Sequence, residues 1–204
     1  MEPIRITEVL GYFAEPWKLE WYGKKGKAHC NKIGKAAMKI GSRVDEIIKN
    51  GERPTAKDAP EVHNCIAAFN KWKEIYKPII IPCSRINIEL YGQEISGEPD
   101  LNIEGTLTDI KCSSKISPSY WVQDTMYTFM NTFIMAPELT EEAKVRWTHD
   151  TCKDFKVAIL RLDKVTGSFE YVVKDYDASL VDVWVGLMRA MVYYKGEQGN
   201  GDEL

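Results

Sequence analysis

The spacing of hydrophobic residues changes along the 204-residue chain, and the order of these changes constrains the fold most strongly. Apolar residues recur at helical intervals before residue 77 and alternate with polar ones over residues 86–91. Helical spacing returns after Ser117, and two further alternating segments then flank Thr166 and Gly167. This order predicts an α/β protein with a mixed sheet flanked by helices.

Local signals give approximate bounds for the predicted elements. Helices are expected over residues 16–40, 44–48, 62–76, 118–135 and 178–194. Strands are expected over residues 86–91, 94–103, 106–112, 155–162 and 169–174, the second interrupted near Gly97 and Pro99. Gly34 is a weak point in the first helix, and a capping box from Ser42 to Asp45 is expected to start the second. We predict one domain over residues 1–195, with a helical region over about 1–80 and a disordered tail over 196–204.

Composition argues against several other classes of protein. Apolar residues make up 44% of the chain and charged residues 28%, which is typical of a soluble domain and not of a disordered one. The longest uncharged run, residues 125–137, is too short to span a bilayer, and the N-terminus lacks a signal-peptide pattern. Five cysteines without a C-x-x-C pair favour buried free thiols in a reducing, intracellular compartment over a zinc site.

The formal charge of −3 conceals a basic stretch. Residues 21–44 contain no Asp or Glu, and they carry seven positive charges. These charges belong to Lys24, Lys25, Lys27, Lys32, Lys35, Lys39 and Arg43. The stretch indicates either a surface for a nucleic-acid backbone or the solvated face of an amphipathic helix, and charge alone leaves both interpretations open.

The segment from Gly97 to Tyr127 carries the pattern with chemical meaning. Asp109 and Lys111 are two residues apart on a predicted strand, so their side chains share one face. A tight turn separates this strand from Asp100, and an antiparallel hairpin would bring Asp100 close to Asp109. Two close carboxylates repel unless a cation lies between them, and their oxygens suit Mg²⁺ or Mn²⁺. Such an ion would activate water for attack on a phosphate, with the lysine beside it.

Three short patterns in this segment together resemble the PD-(D/E)XK nuclease superfamily, in its RecB-like branch. Pro99-Asp100 is similar to the PD element, and Asp109-Ile110-Lys111 to the (D/E)XK element. Gln123 and Tyr127, one helical turn apart, match the QxxxY element that marks the RecB-like branch. The resemblance implies a restriction-endonuclease-like core, a mixed central β-sheet flanked by α-helices.

By this resemblance the chain is a Mg²⁺- or Mn²⁺-dependent deoxyribonuclease, an exonuclease of the phage or mobile-element type. Asp100, Asp109 and the Ile110 carbonyl would bind the metal, and Lys111 would act on the attacking water. Gln123 and Tyr127 would contact DNA and steady the site. The basic residues Lys24, Lys25, Lys32, Lys35, Lys39 and Arg43 would guide the DNA backbone. DNA is the expected substrate, a recombination or replication protein is a possible partner, and the location would be cytoplasmic, in the host cell if phage-encoded.

Two acidic residues have alternative interpretations. Glu89 resembles an acidic residue often found at this place in the family, and it is either a metal ligand or a solvent-facing side chain. Asp45 lies where RecB-like nucleases usually have a histidine, and it is either a metal ligand or part of the capping box with Ser42. An aspartate in place of this histidine is a departure from the pattern of the histidine-bearing exonucleases.

The iron–sulfur branch of these nucleases has one cysteine before the site and three after it. In this chain Cys152 is the only cysteine after the predicted site, so no iron–sulfur cluster is expected. Two other functions remain open: a catalytically silent DNA-binding module on the same fold, and a protein-interaction module in which Asp109 and Lys111 form a structural ion pair.

Overall fold

The computed structural model describes residues 2–12 and 16–199. The helices in this part of the chain are α1 Ile6–Tyr12, α2 Pro16–Lys25, α3 Lys27–Asn50, α4 Pro60–Tyr76, α5 Pro118–Phe133, α6 Glu141–Cys152 and α7 Ala178–Gly199. The strands are β1 Ile4–Arg5, β2 Ile80–Ile81, β3 Ile86–Leu90, β4 Gln93–Gly97, β5 Leu101–Ile103, β6 Thr106–Lys111, β7 Lys156–Leu162 and β8 Phe169–Asp175.

The strands form two mixed sheets. The larger has the order β2-β5-β6-β7-β8, in which β6 and β7 are parallel and the other neighbours are antiparallel. The smaller has the order β1-β4-β3, with β1 parallel to β4. The predicted α/β class, a mixed sheet flanked by helices, is therefore confirmed. The predicted hairpin of residues 155–174 is also confirmed, because Leu162 pairs with Phe169 across its turn.

Helices cover both faces of the larger sheet because β7 is apolar on both of its faces. Leu160 belongs to a buried cluster with Trp72 of α4, whereas its neighbour Ile159 packs with Trp121 of α5. Helix α5 is buried along most of its length, and its far side packs against α7 through residues such as Phe129 and Trp184. This central position makes α5 a rigid support for polar side chains that project toward β6.

The predicted helix over residues 16–40 is wrong in its boundaries. The helix is interrupted at Gly26, whose φ of 82° is in the left-handed region that glycine adopts easily. Helix α3 begins after it and continues to Asn50. Gly34 lies inside α3 without a break. The predicted capping box is also wrong, because Ser42 lies in the helix interior, where no free N–H groups need a cap.

The predicted strand over residues 94–103 is divided between the two sheets. Strand β4 ends at Gly97 and pairs with β3, whereas β5 begins at Leu101 and pairs with β6. Pro99 lies in the gap and has no N–H to donate to a ladder. Residues 196–199, expected in a disordered tail, belong to α7, and residues 200–204 lie outside the described part. No helix among the described residues is long and apolar enough to cross a membrane.

Candidate active site

The hairpin of β5 and β6 brings the two predicted carboxylates together. Leu101 pairs with Thr108, which places Asp100 beside Asp109 at the open end of the hairpin. The Ile110 N–H donates to Asp100 Oδ2 at 2.7 Å and fixes this carboxyl group. The two carboxyl groups are close enough to interact electrostatically. Asp109 is only 1% exposed, so its charge lies in a poorly solvated environment.

Burial and mutual repulsion perturb both acids. Burial, with the nearby Asp109 carboxylate, raises the pKa of Asp100 to about 7. Burial also raises the pKa of Asp109, although the Lys111 ammonium opposes this effect. Near neutral pH the pair therefore holds one proton more readily than two separate aspartates would.

Lys111 lies against this pair. Its Nζ is 2.6 Å from Asp109 Oδ2 and donates to Gln123 Oε1 at 3.2 Å. The ammonium also lies 5.0 Å from the ring centre of Tyr120, a cation–π distance. Burial acts to lower the pKa of Lys111, but the charges of Asp109 and Asp100 outweigh it, and the net direction is upward. Lys111 is therefore a charged ammonium in a largely buried setting.

Gln123 and Tyr127 complete the cluster from α5. Gln123 Nε2 donates to Asp109 Oδ1 and to the Tyr127 hydroxyl, both at 3.0 Å. Burial and the Asp109 carboxylate raise the pKa of Tyr127, so its hydroxyl stays protonated. A Cβ on Gly97 would lie 2.6 Å from the Tyr127 ring, so only glycine admits the tyrosine here. Both predicted side chains are buried and hold Asp109 in place.

The cluster forms the floor of a cavity of about 850 Å³. Helix α3 supplies one wall through Asp45 and Lys49. Asp45 Oδ2 lies 3.2 Å from Lys49 Nζ, whereas Oδ1 is buried and has no hydrogen-bond partner. With the capping box absent, the ion pair with Lys49 is the structural contact that Asp45 makes. The charge of Asp45 also adds to the repulsion that raises the pKa of Asp100.

The Asp109 carboxylate at the floor of the cavity is suited to bind a divalent cation. Its Oδ2 is close to the lysine but lacks the geometry of a hydrogen bond, and it is a buried acceptor without a hydrogen-bond partner. Oxygen donors of this kind are those that Mg²⁺ and Mn²⁺ prefer. Among residues 2–12 and 16–199, no three His, Cys, Asp or Glu side chains are close enough to form a metal site alone. Asp100 and Asp109 would therefore need a backbone oxygen or water as a further ligand.

Glu89 is not part of this cluster. It lies exposed on β3, paired with Glu94 in the smaller sheet, and it does not line the cavity. The strand alternates buried apolar and exposed polar residues, and Glu89 follows that pattern. Of the two interpretations of Glu89, its position agrees with a solvent-facing side chain and does not support a role as metal ligand.

The predicted basic surface also lies away from the cavity floor. Lys25, Lys32, Lys35 and Lys39 are exposed on α2 and α3 without lining the cavity, and Lys24 pairs with Glu20. Arg43 is engaged by three acids, with distances of 2.9 Å to Asp58, 2.8 Å to Glu46 and 3.3 Å to Glu52. Its role is therefore to join α3 to the loop before α4, and the prediction that it guides DNA is not supported.

Other basic residues line the cavity, and the sequence analysis did not identify them. They are Arg5, Lys49 and Arg85. Glu98 joins two of them, with oxygens 3.0 Å from Lys49 Nζ and 3.1 Å from an Arg85 guanidinium nitrogen. No local pattern marks these residues, because they are far apart in sequence and meet only when β1, α3 and β3 converge.

Asp124 is a further buried acid that sequence analysis missed. Its Oδ2 accepts a 2.8 Å hydrogen bond from the Ala158 N–H of β7, and its Oδ1 has no partner. Burial raises the pKa of Asp124 well above the ordinary value, and Asp109 adds to this effect. The bond anchors α5 to the sheet one residue from Gln123. The sequence did contain one signal for this residue, because Asp124 directly precedes the uncharged run of residues 125–137.

Comparison with known proteins gives structural likenesses at low sequence identity. No protein-family model and no curated protein sequence matches the chain. The crystal structure of SSO0001 is similar with a TM-score of 0.43 and 10% identity, over 92% of this chain and 76% of the other. The alkaline exonuclease LHK-Exo from Laribacter hongkongensis is similar with a TM-score of 0.37 and 13% identity, over 97% and 93%. Its complex with dAMP gives 0.36 and 14%, over 97% and 94%. Likenesses of this degree say nothing about activity, which depends on the chemistry of the site.

Proposed function

We propose that the protein is a divalent-metal-dependent DNA nuclease. The observation that carries this proposal is the contact of Asp100, Asp109 and Lys111 at the floor of a polar cavity. A purely structural ion pair requires one acid, and the second buried carboxyl group costs folding free energy, which a bound cation would offset. Perturbed acids that share a cleft with a lysine are typical of catalytic sites.

Mg²⁺ or Mn²⁺ would be held by Asp100, Asp109 and the Ile110 carbonyl, and Asp45 is a further candidate. When bound, such an ion lowers the pKa of water and neutralises charge on a phosphate. The remaining work falls to residues of the chain. Lys111 would donate a hydrogen bond to the attacking water or to the developing negative charge on the phosphate.

The support around Lys111 favours this role. Asp109, Gln123 and Tyr120 contact its ammonium from different sides, so little reorganisation is needed when substrate enters. Arg5 and Arg85 line the same cavity and would attract the phosphates on either side of the scissile bond. We further propose that cutting starts at DNA ends, in keeping with the QxxxY resemblance.

The test is cleavage of labelled linear single-stranded, linear duplex and closed circular DNA in EDTA, Mg²⁺ or Mn²⁺. The wild type should cut in metal and not in EDTA, and Lys111→Ala should lose cutting. Lys153→Ala, a change at an exposed lysine that does not line the cavity, is the matched control and should cut normally. Resistance of the circular substrate would support end-dependent cutting.

Other outcomes would favour the alternative functions. DNA binding without cutting on any substrate would favour the silent DNA-binding module. Neither binding nor cutting, with no thermal stabilisation by Mn²⁺, would favour the protein-interaction module. Cutting that is equal in EDTA would reject a metal-dependent mechanism.

A further inference from the structure

Two cysteines lie in contact directly behind the candidate active site. Cys65 is fully buried on α4, and Cys112 is half-buried in the residue after β6. Both side chains belong to the same apolar cluster between α4 and the sheet. Lys111 pairs with Arg161 of β7, so Cys112 lies beside Leu162, and the two thiols are near enough to interact. Cys65 Sγ also donates to the Leu162 carbonyl at 3.8 Å, which holds its sulfur against the sheet. The chain thus places two free thiols side by side across an interface of two elements.

The position of Cys112 couples this pair to Lys111. Successive side chains of a strand point to opposite faces, so Asp109 and Lys111 face the cavity floor. Ile110 and Cys112 pack instead against the cluster under α4. Any movement of Cys112 toward Cys65 therefore draws the chain next to Lys111 away from the cavity. Lys111 has little freedom to compensate, because Asp109 and Gln123 both contact its Nζ.

Cys112 is also the accessible member of the pair. It borders the cavity that contains Asp109 and Lys111, whereas Cys65 has no exposed surface. Because Cys112 is half-buried and Cys65 has no exposed surface, a small oxidant would reach Cys112 before Cys65. A second thiol in contact is the arrangement that resolves an oxidised cysteine into a disulfide.

We propose that Cys65 and Cys112 form an oxidation site, at which a peroxide makes a reversible disulfide that displaces Lys111. Hydrogen peroxide transfers an oxygen to the Cys112 thiol, which gives a sulfenic acid and one water. The Cys65 sulfur then attacks the Cys112 sulfur, the S–O bond breaks, and a second water leaves with the Cys65 proton. Overall two thiols and one peroxide give one disulfide and two waters. A dithiol reductant reverses the reaction by thiol–disulfide exchange.

The disulfide shortens the distance between the two sulfurs to about 2 Å, less than any contact between two thiols. This contraction acts on residue 112 and, through the backbone, on Lys111. The effect on DNA cleavage rests on the proposed nuclease function, whereas formation of the disulfide does not. Oxidised protein should cut DNA at least tenfold more slowly than reduced protein and recover fully in dithiothreitol.

The experiment treats the full-length protein with hydrogen peroxide and follows intact mass, peptide mapping and Mn²⁺-dependent DNA cleavage. We expect a mass loss of two hydrogen atoms and a cross-linked peptide that joins Cys65 to Cys112. Cys112→Ser and Cys65→Ser should prevent both the cross-link and the oxidative loss of cleavage. Cys83→Ser, at a half-buried cysteine in a different cluster, is the matched control and should form the cross-link.

Each outcome decides the proposal. Oxidation of Cys112 to sulfinic or sulfonic acid without a cross-link to Cys65 would overturn it. A cross-link that leaves DNA cleavage unchanged would remove the coupling to Lys111. If the reduced protein cuts no DNA, the nuclease proposal fails separately, and the cross-linked peptide in wild type still decides whether the site exists. Peptide mapping of wild type also keeps the test valid if either serine variant fails to fold.

Discussion

Asp100→Asn should make the metal-free protein more stable, although it removes a residue that we place at the centre of the site. The asparagine side chain keeps an oxygen that can accept the Ile110 N–H, so the hairpin contact survives. The substitution removes a carboxyl group that is held close to the buried Asp109 carboxylate. Stability and function therefore change in opposite directions at this position.

The size and sign of the effect follow from the pKa of Asp100. Burial and the Asp109 carboxylate raise this pKa from 3.8 to about 7. At about 1.4 kcal/mol per pKa unit, the ionised group destabilises the folded state by up to about 4 kcal/mol. Below about pH 4 the group is protonated in both states, and this cost is absent. The cost grows between about pH 4 and 7 as the unfolded state ionises first, and it is complete above about pH 7.

The assay is urea unfolding of wild type and Asp100→Asn in EDTA at pH 5 and pH 8. The variant should be the more stable protein at both values, and its advantage should be about 2–3 kcal/mol larger at pH 8. Glu138→Gln is the control, because it changes an exposed carboxylate that does not line the cavity, and it should show no such pH-dependent gain. Mn²⁺ should stabilise the wild type and fail to stabilise Asp100→Asn.

An advantage of Asp100→Asn that is equal at pH 5 and pH 8 would refute this reasoning. It would mean that Asp100 has an ordinary pKa and lies in solvent, apart from Asp109. Loss of stability in the variant at every pH would mean that the Asp100 carboxylate has a structural role of its own.

Three further predictions concern single residues. Lys111→Ala should lower the rate of DNA cleavage at least about a hundredfold and leave thermal stabilisation by Mn²⁺ largely intact; a fully active variant would remove Lys111 from the mechanism. Tyr127→Phe removes one hydrogen bond, worth about 1 kcal/mol, and should slow cleavage about five- to tenfold, much less than Asp109→Ala; the reverse order would show that Asp109 does not hold the metal. Arg43→Ala should lower the melting temperature, because it breaks contacts with three acids, and leave DNA affinity unchanged; weaker DNA binding would restore its predicted role on the DNA.

The sequence predicted the part of the site that is local. Asp109 and Lys111 share a strand, and a tight turn joins that strand to Asp100, so their proximity follows from strand geometry alone. Gln123 and Tyr127 are one helical turn apart, and this spacing places both on one face of α5. In each case a few residues of chain fix the relation between the side chains.

Contacts between residues that are far apart in the chain could not be predicted from local spacing. Arg5, Lys49 and Arg85 meet at the cavity only because β1, α3 and β3 pack around it. Arg43 and Glu89 have the right charge for the predicted roles, but the folded chain engages the first with acids and leaves the second in solvent. Residue type predicts what a side chain can bind, whereas its position depends on packing between distant segments.

Helix boundaries show the same limitation at a smaller scale. Gly34 and Ser42 were the expected weak points in the stretch before Asn50, because glycine and serine are both common at helix ends, whereas Gly26 was expected inside a helix. The break occurs at Gly26, which has a positive φ, and packing of α3 against α4 stabilises the helix through the other two positions. Local propensity alone therefore did not locate the break, because tertiary contacts decide which glycine or serine ends a helix.

The central claim is that Asp100 and Asp109 hold the catalytic ion. The most direct measurement is anomalous X-ray diffraction from crystals of the protein grown or soaked in Mn²⁺. We predict an anomalous peak bounded by the Asp100 and Asp109 carboxylates, and its absence in crystals of Asp109→Ala. A Mn²⁺ peak elsewhere in the wild type, with none at these carboxylates, would contradict the account.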